Sequence, residues 1–324
     1  VILLIHPSVN LSQMNLKSLN RTLTCIISAC FVQKSFLTLD VFFGYFCKNN
    51  HFIYKGIGMK SSNIFDVILI GAGPAGLFAA ETLAGKSLSV LVLDRGDEPL
   101  KRHDVNFGIG GAGAFSDGKL NLTSRIGGEP ESCGRKADGV EELIQQIDEI
   151  FTSLGVTGGY SGENGEAYQT LLRAAHAAGV EFIFAKQRHI GTDRLQDIIQ
   201  RFYERLIEKG INFRPNTYVD KISKEGDYFK LICKDEVLFA RAVIAAPGRA
   251  GAYWLREQAH NLGIHTMYGP IDVGVRVEFP DDIYRPIAAV MYDAKFRLYS
   301  KSYDDLVRTF CTNPSGYIVT EKYD

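Results

Sequence analysis

Ile64-Phe65-Asp66-Val67-Ile68-Leu69-Ile70 is an almost unbroken apolar run, and Gly71-Ala72-Gly73-Pro74-Ala75-Gly76 follows it without a spacer. Such a run reads as a parallel strand covered on both faces. The six residues after it have the spacing of a tight turn that opens a helix, and Ala- and Leu-rich Leu77–Lys86 supplies that helix. A second buried strand, Leu88–Leu93, then ends in Asp94. Gly71 permits the turn, Gly73 lets a phosphate group approach the backbone, and Gly76 lets the helix pack on the strand. The helix start at Pro74 and Ala75 offers unpaired N–H groups and a partial positive charge. Asp94 is placed to accept hydrogen bonds from a ribose diol, and its charge would repel a 2′-phosphate. A lone glycine triplet is a weak signal, but strand, turn, helix, strand and terminal acid in this order predict a dinucleotide site within an α/β fold.

The next segment bears on which dinucleotide. After Asp94-Arg95-Gly96 comes a second glycine-dense stretch, Asn106-Phe107-Gly108-Ile109-Gly110-Gly111-Ala112-Gly113-Ala114-Phe115-Ser116-Asp117-Gly118-Lys119-Leu120-Asn121. Backbone amides at Gly110, Gly111 and Gly113, with Ser116, Asp117 and Lys119 beyond them, suit the wrapping of an extended ligand. A nicotinamide-binding domain would more usually pass straight to its next strand and helix. Phe107, Ile109, Phe115 and Leu120 argue that the stretch is anchored on a core and is not a loose loop. Lys119 is the candidate for touching a cofactor phosphate or a flavin carbonyl, and Asp117 for a ribityl hydroxyl or for capping the turn.

Gly71–Gly76 with Asp94-Arg95 resembles the FAD fingerprint of the glutathione-reductase-type two-dinucleotide-binding flavoproteins. Gly110–Asn121 is similar to the GGAGTFSDGKLN signature of a little-characterised bacterial group of FAD-dependent dehydrogenases. His189–Leu195, Gly274–Glu278 and Phe310–Tyr317 resemble that group as well, and the likeness runs from about Ile64 to Thr320. Phe310–Tyr317 departs from it, since a Cys-rich variant ending in Pro-Gly-Gly is expected there. The resemblance implies a bound FAD, an NAD(P)H electron donor and a small-molecule substrate. It also implies that the backbone at Val219 meets adenine and that the small-residue turn Ala245–Arg249, through Ala246 and Gly248, lies beside FAD. The expected architecture is α/β: a Rossmann-like FAD-binding domain, a parallel sheet with helices, interrupted by a smaller α+β substrate domain.

Further along, Thr192 or Asp193 caps a helix to about Glu208, which Gly210 ends. Strands are expected at Ile211–Phe213, Thr217–Ile222, Tyr228–Cys233 and Val237–Ala246, with a helix around Trp254. Ile271–Phe279 and Ile287–Tyr292 are expected as strands of a separate sheet, and Ala137–His189 as helical. The domain expectation is therefore 59–136 for the first part of the cofactor domain, 137–190 for a helical segment, 191–250 for the return segment and 251–324 for an incomplete substrate domain. The late Gly-Asp segment that closes flavoproteins of the type resembled does not occur before Asp324, so the chain is expected to be C-terminally truncated.

Residues 1–58 do not match the rest. They hold six charged residues, Lys17, Arg21, Lys34, Asp40, Lys48 and Lys55, and show no sustained period. One reading is a targeting peptide around Thr22–Val32. The reading favoured here is that Met59 is the natural start and 1–58 a non-native or disordered extension.

Composition narrows the function classes. With 36 basic and 37 acidic residues in 324, no global field draws the chain to nucleic acid. No apolar run reaches the length of a membrane span. The six cysteines form no Cys-x-x-Cys pair, which suits a reducing compartment, the cytoplasm, and neither a zinc site nor a disulfide framework. A hydrolase elbow is missing. His103, His176, His189, His260 and His265 each read as structural or solvent-facing, which leaves the catalytic side chains unassigned. The function expected is an FAD-dependent oxidoreductase passing hydride or electrons through its flavin. The alternatives are an NAD-linked dehydrogenase using Gly71–Gly76, and a flavin-binding fragment without turnover.

Overall fold

A computed structural model of the chain describes residues 3–5, 63–115, 118–126, 137–161, 165–234, 236–267 and 274–318. In chain order the strands are β1 (Leu3–Ile5), β2 (Ile64–Ile70), β3 (Val90–Leu93), β4 (Lys119–Asn121), β5 (Glu181–Ile183) and β6 (Gln187–His189), then β7 (Asn212–Arg214), β8 (Lys221–Glu225), β9 (Tyr228–Cys233), β10 (Glu236–Ala245), β11 (Lys295–Tyr299) and β12 (Leu306–Arg308). The helices are α1 (Pro74–Leu83), α2 (Ala137–Ser153), α3 (Glu166–Ala177), α4 (Thr192–Glu208), α5 (Ala252–Asn261) and α6 (Asp281–Ala288). They fall into two compact units. The first takes the described residues of 1–118, 127–156 and 190–267, and the second those of 119–126, 157–189 and 268–324.

The first unit is built on a seven-stranded sheet in the order β7-β3-β2-β10-β9-β8. Strands β7, β3, β2 and β10 run parallel, and β9 and β8 continue antiparallel. β1 lies antiparallel to the end of β10, Leu3 opposite Ala245 and Ile5 opposite Val243. Parallel central strands must be covered on both faces, and β3 is buried along its whole length. Helix α1 is apolar nearly all round because it too is covered: Phe78 meets Phe202 of α4 edge-on at 5.2 Å and Phe151 of α2 at 5.8 Å. Glu81 takes ion pairs from Arg205 of α4 and from Lys209 just past its end, at 2.6 and 2.7 Å. Across the sheet, Trp254 of α5 packs on a core that includes Ile68, Leu93, Phe229 and Leu231.

The second unit holds a three-stranded sheet, β12-β11-β5, and the pair β4-β6. Phe296 and Phe182 face each other in register and stack at 5.1 Å, with Tyr168 of α3 against Phe182. Five expectations are corrected here. Ile287–Tyr292 is not a strand: after Pro280 the chain turns into α6, whose first-turn Asp281 and Asp282 both pair with Arg285. Of Ile271–Phe279, the described part from Gly274 is irregular, and the unit's sheet is built from β11 and β12 instead. Ala137–His189 is also not helical throughout, since β5 and β6 follow α3. Thr217–Asp220 is irregular and the strand starts at Lys221. The division into units differs from the expected boundaries too, with α2 and α5 in the first unit and residues 157–189 in the second. Met59, the Thr22–Val32 run, Ser116 and Asp117 lie outside the described residues. Neither Cys233 nor Cys311 forms a disulfide.

Candidate functional site

The end of β2 is where the first unit gathers its glycines. Gly71 lies at φ +97°, and a Cβ there or at Gly76 would strike backbone oxygen, of Ala246 and of Gly71 respectively. Both positions therefore accept only hydrogen. Gly73 stands at the start of α1 with no side-chain cap, and Pro74 occupies the first helical position, where its missing N–H costs nothing. The leading amides of α1 thus have no side-chain acceptor, the condition under which a helix start takes an anion.

Asp94 ties this turn to its surroundings. Its carboxylate, 8% exposed, accepts from the Ala72 N–H at Oδ2 (2.8 Å) and from the Gly96 and Gly108 N–H groups at Oδ1 (2.9 and 3.0 Å). Three chain segments are therefore held by one buried acid. Its own carbonyl accepts from Thr217 N–H at 2.8 Å, and the Gly96 carbonyl from Asn216 N–H at 2.9 Å. These bonds bring the irregular segment that leads to Val219 alongside, and the Val219 side chain is buried in the core of the first unit.

The second glycine stretch lies directly on the first. Gly110 N–H donates to the Ala72 carbonyl at 2.8 Å. A Cβ on Gly111, at φ +61°, would come within 3.0 Å of Gly73 Cα and 3.2 Å of Pro74 Cδ, and one on Gly113 within 3.3 Å of Pro74 Cγ. On the other side, Ala246 N–H donates to the Ile70 carbonyl at 2.7 Å, and Gly248, at φ +70°, turns the chain into Arg249–Gly251. Gly71, Gly73, Pro74, Ala75, Gly76, Asp94, Gly110, Gly111, Gly113 and Ala246 thus form one backbone-lined neighbourhood, with Gly248 two residues further. Arg95 sits at its margin, its guanidinium 3.1 Å from the centre of the Phe107 ring. Burial pushes the Arg95 pKa down, against the charges of Tyr218, Asp94 and Asp104.

Lys119 belongs to the second unit. There its ammonium is 3.2 Å from Asp293 and donates to the Thr312 carbonyl at 2.7 Å. Asp293, almost fully buried, also holds Lys295 at 2.7 Å and accepts from Thr312 N–H at 3.0 Å. Among the described residues no group of His, Cys, Asp and Glu could hold a metal ion, and no helix is long and apolar enough to cross a membrane.

Sequence reasoning missed Arg102. It is buried, and burial pushes its pKa down, opposed by Asp94 and Asp104. It donates to four backbone carbonyls of the second glycine stretch and its approach. The only hint was a basic residue just before a loop whose carbonyls need donors.

The chain is 26% identical over 278 residues to an uncharacterised protein of Clostridium beijerinckii, covering 78% of this chain and 45% of that protein. It therefore spans less than half the length of this relative. Among solved structures, glycine oxidase from Geobacillus kaustophilus is 17% identical, with a TM-score of 0.40 over 61% of this chain and 59% of that one. The 3-ketosteroid-Δ4-(5α)-dehydrogenase from Rhodococcus jostii RHA1 is 16% identical, with a TM-score of 0.37 over 58% and 46%. Residues 66–274, well over half of the sequence, match the FAD binding domain family, and they contain all of the glycine neighbourhood just described: the chain belongs to the FAD binding domain family.

Proposed function

We propose that this chain is the cofactor-holding part of an FAD-dependent oxidoreductase acting on a small-molecule substrate. The observation that carries the reading is the docking of Gly110–Gly113 on the Gly71–Gly76 turn, through the Gly110–Ala72 hydrogen bond and the contact of Gly111 with Gly73. Two glycine segments laid together make a longer amide-lined strip than a single turn provides, as a ligand extending past its pyrophosphate requires. The residues fit the group: the helix start is uncapped, and a Cβ at Gly111 would fill the approach.

In this reading Gly71, Gly73, Ala75 and Gly76 face the pyrophosphate from the first turn, and Gly110, Gly111 and Gly113 extend that contact toward the flavin. Asp94 holds the turn and, with three of its roughly four acceptor positions taken by amides, keeps one for a ribose hydroxyl. The Val219 backbone meets adenine, and Ala246 with Gly248 borders the cofactor opposite. The bound flavin supplies the hydride or electron transfer, while the protein supplies position and water exclusion. The arrangement is of the two-dinucleotide-binding type, the second unit serves the substrate, and a reduced nicotinamide nucleotide is the electron donor; these three parts rest on the resemblance of the motifs.

Titration of FAD into the purified protein, followed by gel filtration and a visible spectrum, tests the reading. Retained flavin that NADH or NADPH bleaches without oxygen is the expected result. Retention of NAD with no uptake of FAD would overturn it in favour of a nicotinamide dehydrogenase.

A further inference from the structure

Arg102 lies inside the first unit with only 6% of its surface exposed. Its Nη1 donates to the carbonyls of Ile109 (3.1 Å) and Gly111 (2.8 Å), and its Nη2 to those of Asp104 (3.0 Å) and Val105 (3.1 Å). The Phe115 ring lies 4.7 Å from Cζ. Nε is buried with no acceptor among the described residues, and a Cβ on Gly108 would sit only 2.8 Å from it. Taking a guanidinium out of water with one N–H unmet is unfavourable, so the four carbonyls it gathers must offset that cost. A planar fork with several fixed donors suits this task, whereas a lysine ammonium acts from one point.

The carbonyls it takes bear on where the neighbouring amides point, and at Gly111 it shares the carbonyl with the Ala114 N–H, which donates at 3.1 Å. In a trans peptide the C=O and N–H bonds are directed oppositely. Holding the Gly111 carbonyl inward therefore turns the Ala112 N–H outward. Ala112 is exposed, its N–H has no acceptor among the described residues, and its neighbours Gly111 and Gly113 both pack on Gly73–Pro74 at the start of α1. We propose that Arg102 is the positioning residue of the second glycine loop, fixing the Gly111–Ala112 peptide so that the Ala112 amide is presented to the FAD pyrophosphate. Arg102 does not touch the cofactor in this arrangement. Asp94 is its counterpart, taking the amides of Ala72, Gly96 and Gly108 while Arg102 takes carbonyls. The inference rests on the FAD reading for its ligand but not for the loop itself.

The test uses the full chain with Arg102→Met and Arg102→Lys, each first checked for wild-type far-ultraviolet circular dichroism. Hydrogen exchange without FAD should show protection of the Gly110, Gly111 and Ala114 amides, each hydrogen-bonded within the loop or to the first turn, lost in both variants and kept elsewhere in the sheet. Quenching of flavin fluorescence should show FAD affinity lower by about tenfold or more in both, as for loss of hydrogen bonds from a charged donor. In Arg102→Ala, millimolar ethylguanidinium should restore FAD affinity and the visible circular dichroism of the bound flavin, which a general loss of packing would not allow. Wild-type affinity in Arg102→Lys would mean that charge alone suffices, and unaltered loop protection in Arg102→Met would mean that Arg102 holds nothing; either overturns the inference with the FAD reading intact. If the wild type binds no FAD, the proposed function and the pyrophosphate role of Arg102 both fail, while the exchange data still decide its hold on the loop.

Discussion

Asp94 accepts three backbone amides, and those of Ala72 and Gly108 are buried, so any loss of acceptor strength there is felt directly. Asp94→Asn turns one oxygen into a donor facing a donor, and should cost at least about 2 kcal/mol in urea unfolding, since each unmet buried donor costs ~1–3 kcal/mol. A midpoint equal to wild type would show that the amides find other acceptors. Gly111→Val meets a different obstacle: a left-handed backbone at φ +61° and the Gly73 Cα at 3.0 Å. It should abolish flavin retention while far-ultraviolet circular dichroism stays that of the wild type, because the collision lies in a loop and not in the sheet. Cys233 gives a control from the core. Burial, with Glu236 and Asp220 acting in the same direction, pushes its thiol up to about 11. At about pH 8 only on the order of a thousandth is thiolate, so iodoacetamide should leave Cys233 unmodified while exposed Cys311 is labelled, as read by peptide mass spectrometry. Equal labelling of the two would mean that the sheet opens on the timescale of the reaction.

Helix α1 is the element on which the site depends, and its packing explains why it stays in place. Phe78 is wedged between Phe202 and Phe151, so Phe78→Ala should destabilise the first unit by about 3–5 kcal/mol; a loss below ~1 kcal/mol would mean that α2 and α4 close the gap. The β2–α1–β3 segment was legible because every signal in it is local: a continuous apolar run, glycines at fixed offsets and an acid at the strand end. The glycine density of the second stretch was legible as a sign of close backbone approach, since only small residues permit it. Helix α6 was not. Ile287–Tyr292 is a short apolar run of the kind whose periodicity does not separate strand from helix, and it is preceded by a helix start at Pro280, where Asp281 and Asp282 pair with Arg285. The ion pair of Lys119 was hidden for a related reason. Its partner Asp293 is far along the chain, and no local pattern connects them. Arg102 offered no more than its place before the loop, because burial of one arginine under a loop is a property of the folded state.

At the scale of the whole chain, the sheet joins segments made far apart. β10 enters beside β2 in parallel register, Ala245 opposite Ile70, and Arg241 reaches Asp66 at 2.7 Å across 175 residues. Ending the chain after Cys233 removes this central strand and the Ala246 backbone beside Gly71, so such a chain should retain no flavin after gel filtration although its whole Gly71–Gly113 region is present. Flavin retained by it would show that β2, α1 and β3 suffice. The parallel pairing of β2 with β10 therefore has a meaning in time as well as in space. During synthesis from the amino terminus the Gly71 turn leaves the ribosome first and waits for Ala246, an interval on the order of ten seconds or more at ~5–20 residues per second. Through that interval the apolar edge of β2 lacks its neighbour, so an unpaired strand edge is exposed before the backbone around Gly71 is complete.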